Sequence, residues 1–202
     1  MLTVIHPKDD TTTFLEPIYN PIVDKIVVRN NTTYNNIKEL LSRSDRVLMM
    51  GHGSSYGLFS VELFNSNVFH RIFFMELKDL KDLQELRNNP LYVISHENVE
   101  LLQNKPQNVY IWCNADKFVE KHELQGFYSG MFISEVRESL SCGFDGITPE
   151  VIDESNNTFS SIVGQYIHLP VPYLYEKVME EYGNLARTNP IAQYNYERLY
   201  FR

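Results

Sequence analysis

The sequence predicts an α/β fold: three layers, with a mainly parallel sheet carrying helices on both faces and a helical C-terminal part. Three observations carry this. Short β-branched runs of strand length recur along the chain, stretches of helical period separate them, and the apolar runs are continuous rather than alternating, as suits strands buried on both faces.

The elements follow in order. "LTVIH" (2–6) and "KIVVR" (25–29) read as strands, joined by a polar loop that contains "DDTTT" and prolines. "TTYNNIKELLSRSD" (32–45) sets Tyr34, Ile37, Leu40 and Leu41 at helical spacing with Thr32 or Thr33 as N-cap, and it leads into the strand "RVLMM" (46–50). A strand over 68–77 and a helix over 77–89, with leucines at 77, 80, 83 and 86, come next. "LYVIS" (91–95) and "NVYIW" (108–112) read as strands flanking a short helix. A helix over 115–123, a strand near "GFYSGMFIS" (126–134) and a helix from Glu135 toward Leu140 continue the pattern.

The last fifty residues or so read as helical, with Thr148 as N-cap and Pro149 at the first helical position, where its missing N–H costs nothing. Leu174, Val178, Tyr182 and Leu185 share one face of the next helix, and Gly183 weakens its last turn. The aromatic tail "AQYNYERLYFR" is expected to dock on the body.

Bulk properties bound the function. The chain has 202 residues, 43% hydrophobic and 22% charged, which suits one globular domain over 1–202. No apolar run reaches membrane-spanning length, and no secretory signal is visible, so a soluble cytoplasmic protein with reduced thiols is expected. A net charge of −8 with scattered lysines and arginines argues against a nucleic-acid partner.

Chemistry concentrates in "RVLMMGHGSSYGL" (46–58), which supports a histidine reading through Gly51-His52-Gly53 and a serine reading through Gly53-Ser54-Ser55-Tyr56-Gly57. If "RVLMM" and "NVYIW" lie in one parallel sheet, His52 and Cys113 project from loops at the same edge. A thiol with a pKa of about 8.5 becomes a nucleophile when a histidine draws its proton. Gly51 turns the chain sharply off its strand, and Gly53 leaves its N–H free to join that of Cys113 as an oxyanion donor. The dyad implies that Cys113 reacts faster than Cys142 with iodoacetamide.

On these residues the chain resembles the caspase, gingipain and legumain superfamily of cysteine peptidases, in which a histidine-glycine pair follows one strand and a cysteine ends the next core strand. The resemblance covers roughly residues 25–140. It implies a parallel-rich sheet with flanking helices, cleavage of a protein or peptide substrate without metal or cofactor, His52 as general acid/base, Cys113 as nucleophile and Gly53 as oxyanion donor.

Two other readings stand beside it. The G-x-S-x-G pattern places Ser55 on a strand-to-helix turn as in α/β serine hydrolases, with Asp153 and His168 as the late acid and base. A non-catalytic α/β binding module could use the same glycine loop for backbone contacts. His70, His96 and His122 lack paired metal-ligand spacing, and the two cysteines form no zinc motif, so no metal is expected. Cys142 reads as a structural thiol at a helix end, and Asp116 and Glu135 either orient His52, bind substrate or sit as helix N-terminal carboxylates.

Overall fold

The computed structural model describes residues 1–29, 34–60 and 92–202. Its strands, in chain order, are β1 (Leu2–Ile5), β2 (Lys25–Val28), β3 (Arg46–Met50), β4 (Gly53–Ser54), β5 (Gly57–Phe59), β6 (Tyr92–Ile94), β7 (Val109–Ile111), β8 (Phe127–Ser129) and β9 (Leu199–Phe201). Six of them form the main sheet, side by side as β2-β1-β3-β7-β8-β9, parallel throughout except that β9 pairs antiparallel with β8.

The helices are α1 (Glu16–Tyr19), α2 (Tyr34–Arg43), α3 (Val99–Leu102), α4 (Ala115–Lys121), α5 (Val136–Ser141), α6 (Pro149–Tyr166), α7 (Val171–Ala186) and α8 (Pro190–Tyr196). The period-2 geometry of the strands explains the three layers. On β3, Leu48 and Met50 join Val109 and Ile111 of β7 on one face, packed with Phe159 and Val163 of α6 and Leu174, Val178 and Tyr182 of α7. Val47, Met49 and Tyr110 turn to the other face, against Ile37 and Leu41 of α2 and Phe118 and Val119 of α4. Both faces of β3 and β7 are therefore buried, which is why their sequences are unbroken apolar runs.

The central pair is also pinned by a side chain. Asn108, just before β7, accepts from the Val47 N–H at 2.9 Å and donates to the Tyr110 hydroxyl at 3.2 Å. Close packing of α6 on α1 needs Gly164, since a Cβ there would stand 2.4 Å from the Pro17 carbonyl oxygen.

Two elements differ from the sequence-based expectation. The "LYVIS" strand, β6, lies outside the main sheet: it pairs antiparallel with β5, which pairs with β4 in a separate three-stranded sheet. The C-terminal part is not wholly helical either, because its last aromatic residues form β9 along the β8 edge, where Tyr200 packs against Tyr128. That strand accounts for the docking expected of the tail. The N-cap read at Thr32 or Thr33, the strand over 68–77, the helix over 77–89 and His70 fall outside the described residues. Among the described residues no helix is long and apolar enough to cross a membrane.

His6, immediately after β1, is fully buried, and its Nδ1 lies 2.9 Å from the Tyr19 hydroxyl. Burial pushes its pKa down to about 4, against the upward pull of Glu16 and Asp9. The native state thus holds this imidazole neutral, while the unfolded chain takes up a proton at about pH 6.5. Its contribution is complete above that pH and is lost as the pH falls toward the native value, by about 3 kcal/mol. Urea-unfolding free energies measured across that window should show the loss, and His6→Gln should flatten it; an unchanged slope in His6→Gln assigns the loss to other groups.

Candidate functional site

The strand order sets where the site can form. From β1 the chain moves to one neighbour, β2, then crosses back to β3 on the other side, so the order switches between β1 and β3. Ligand sites in open α/β sheets gather beyond the carboxyl ends of strands at such a switch. The segment after β1 carries Asp9 and Thr11, and the segment after β3 carries His52.

The structure joins these residues directly. His52 Nε2 lies 3.2 Å from Asp9 Oδ2 and 2.6 Å from Thr11 Oγ1. Asp9 Oδ1 meanwhile accepts from the Thr11 and Thr12 backbone N–H groups at 3.0 and 2.9 Å, so the "DDTTT" loop folds around one carboxylate. Burial alone would raise the Asp9 carboxyl; the hydrogen bond and charge of His52, with the Thr11 and Thr12 donors, outweigh it and hold it well below the usual carboxylate range. Asp9 is therefore ionised and fixes the imidazole. An ionised acceptor at Nε2 favours the tautomer with its proton there.

Gly51 makes the turn that puts His52 in place. Its φ of +137° lies where other residues are strained, and its N–H donates to the Ile111 carbonyl at 3.0 Å, tying the end of β3 to that of β7. The register Met50↔Ile111 then brings the two following segments side by side. Cys113 leaves β7 on a sharp strand-to-helix turn, since Asn114 is left-handed at φ 64° and α4 begins at Ala115. Asparagine tolerates that conformation better than most residues.

His52 and Cys113 both line one small cavity of about 20 Å³, together with Thr12, Phe14, Phe132 and Ser134. That volume accommodates about one water. Cys113 is buried at 8% exposure, and its Sγ–H is shared between the Phe132 carbonyl oxygen at 3.4 Å and Glu138 Oε1 at 3.7 Å. Burial first, and the Glu138 charge second, push the thiol well above its usual pKa. In this conformation it is a protonated thiol, not a thiolate.

Sequence reasoning does not single out Glu138. It reaches back from α5 so that Oε2 accepts from the Ser134 N–H at 2.7 Å, the Ser134 hydroxyl at 3.0 Å and the Glu135 N–H at 3.2 Å, which is how the start of that helix is satisfied. Its burial raises the carboxyl, against those donors and the charge of His52. The signal is present as "SEVRE", a helix start with a glutamate three residues in, but nothing local links it to a distant cysteine.

The remaining sequence-derived candidates fall as follows. Gly53 lies in β4 opposite Leu58, and a Cβ there would stand 2.3 Å from the Trp112 ring, so packing alone requires glycine. Trp112 also donates from Nε1 to the Ser54 carbonyl at 3.0 Å. Ser55 occupies the turn between antiparallel β4 and β5; a hairpin follows it where the hydrolase pattern calls for a helix. Asp153 and His168 lie near opposite ends of α6 and do not form a pair. Glu135 precedes α5 as its N-cap residue, and Asp116 sits in the first turn of α4, where its charge acts on Tyr128 and Tyr200. Cys142 closes α5 and accepts from the Tyr194 hydroxyl at 3.4 Å. Among the described residues no cluster of three or more His, Cys, Asp or Glu could hold a metal ion.

Comparison of the chain with protein-family models, curated proteins and solved structures finds no match.

Proposed function

We propose that the chain is a cysteine peptidase-like hydrolase, related to the caspase, gingipain and legumain superfamily, in which Cys113 attacks a peptide carbonyl and His52 moves the proton. One observation carries this reading: β3 and β7 are adjacent parallel strands in register, so the histidine after one and the cysteine after the other share a cavity wall at the carboxyl edge of the sheet. The resemblance expects that relation, and Asp9 adds the orienting carboxylate that a nucleophile–base pair requires of a third group.

The chemistry runs as an acyl transfer. The Cys113 proton passes to His52 as sulfur bonds to the scissile carbonyl carbon; the imidazolium then gives that proton to the departing amine, and water hydrolyses the thioester. The conformation described is a closed one. The cavity holds no more than about a water, and the thiol is engaged by Phe132 and Glu138, so a substrate must draw the sulfur away from both.

Thiol reactivity tests the pairing. In a Cys142→Ala background, Glu138→Gln keeps an acceptor for the α5 N–H groups while removing the charge beside sulfur. Iodoacetamide labelling of Cys113 is then expected to speed up about tenfold at neutral pH, its midpoint moving down by about one unit. Adding His52→Ala should reverse most of that gain. A gain that survives His52→Ala intact shows that His52 does not act on the thiol, and the dyad fails.

A further inference from the structure

At the opposite end of the sheet, where β3 begins, Arg46 is a cation with no carboxylate paired to it among the described residues. Its Nη1 donates to the Ile167 carbonyl at 2.6 Å and the Leu169 carbonyl at 3.0 Å, at the end of α6. Its Nε and Nη2 are buried and have no hydrogen-bond partner among the described residues. Burial lowers its pKa to about 10, so the group stays charged at neutral pH. Capping α6 explains Nη1. It leaves the Nε/Nη2 edge, the pair of parallel donors that matches a carboxylate, unexplained.

Arg46 is also one of the residues lining an open pocket of about 780 Å³. Leu2 and Ile22 give the pocket apolar surface, while Asn20, Ser161, Gln165 and His168 give it polar edges, and among the described residues no aspartate or glutamate lines it. In a chain of net charge −8, a pocket with no acid among its described lining residues and a half-buried arginine in its wall favours an anion. The two unpartnered nitrogens are closed off from bulk water, so a carboxylate that reaches them meets them in a low dielectric.

We propose that this pocket binds an amphipathic monocarboxylate: the carboxylate takes the Nε/Nη2 edge of Arg46 and the alkyl body lies along Leu2 and Ile22. The site is independent of His52 and Cys113, which lie beyond the other end of the parallel strands.

Octanoate titration of the whole protein, followed by calorimetry and by the Arg46 Nε–H resonance in ¹⁵N-labelled protein, tests this. Saturable binding with a shift of that resonance is expected, with octan-1-ol and inorganic phosphate each binding at least about tenfold more weakly, since a charge-assisted hydrogen bond is worth roughly that factor. Because Arg46→Met also strips the cap from α6 and can fail to fold, Ser161→Glu at the exposed rim is the working variant: it should keep the thermal midpoint and weaken octanoate several-fold. No saturation, an unmoved Arg46 resonance, octanoate affinity unchanged by Ser161→Glu, or octan-1-ol or phosphate binding as tightly as octanoate overturns the proposal.

Discussion

Substituting His52 by alanine is expected to lower kcat/KM for a cleaved peptide by roughly four to six orders of magnitude, as removal of the base from a nucleophile–base unit does elsewhere. The reason is specific to this site. Burial and Glu138 both oppose ionisation of Cys113, so the proposed attack requires the sulfur to hand on its proton as it bonds, and His52 is the imidazole on the same cavity wall. A mass-spectrometric screen of a diverse peptide library gives the substrate; Cys113→Ala and His52→Ala should then fall together, and their double variant should lose little more because the two act as a unit. Activity within about tenfold of wild type in either single variant rules out the proposed chemistry.

Asp9→Asn is expected to lower kcat by about two to four orders of magnitude while changing KM little. The amide introduced can still accept the Thr11 and Thr12 N–H groups through its oxygen, so the loop that forms around the side chain is preserved. What changes is the partner of His52 Nε2: an amide can present a donor where the carboxylate presents only acceptors, which favours the wrong tautomer and withdraws the charge that stabilises the imidazolium. A rise in KM with kcat intact would make Asp9 a loop-forming residue only.

The same site shows where reading the sequence succeeds. Val47 to Met50 and Val109 to Ile111 are continuous apolar runs because each strand is covered on both faces, and that pattern is visible without coordinates. The punctuation is visible too, since Gly51 and the "CNAD" turn end those runs where His52 and Cys113 begin. The expectation that Cys113 outpaces Cys142 in alkylation is a different matter. It requires an accessible thiol, whereas Cys113 is buried and Cys142 is only partly so; the order of labelling should therefore reverse in the closed protein.

Asp9, Thr11 and Glu138 escape the sequence reading for one reason: each is recruited by an approach between segments far apart in the chain. Asp9 looks like a turn residue, and it is one, but the switch in strand order also sets it beside His52. Glu138 looks like a helix-start glutamate, and again it is one, yet its second oxygen meets Cys113. Ser55 misleads in the opposite sense. Its local pattern is complete, but β4 folds back on β5, and a hairpin cannot supply the strand-to-helix elbow.

By itself the sequence determined the α/β class, the buried parallel strands and the ends from which His52 and Cys113 project, because burial on two faces and sharp glycine or asparagine turns are written in residue type and local spacing. The tertiary structure alone decided that β1 lies between β2 and β3, that Asp9 holds His52, that Glu138 restrains Cys113 and that two nitrogens of Arg46 are buried without a partner among the described residues. Those outcomes depend on contacts across the sheet and its helices, and a side-chain period, whether of a strand or of a helix, carries no information about which distant side chain will arrive.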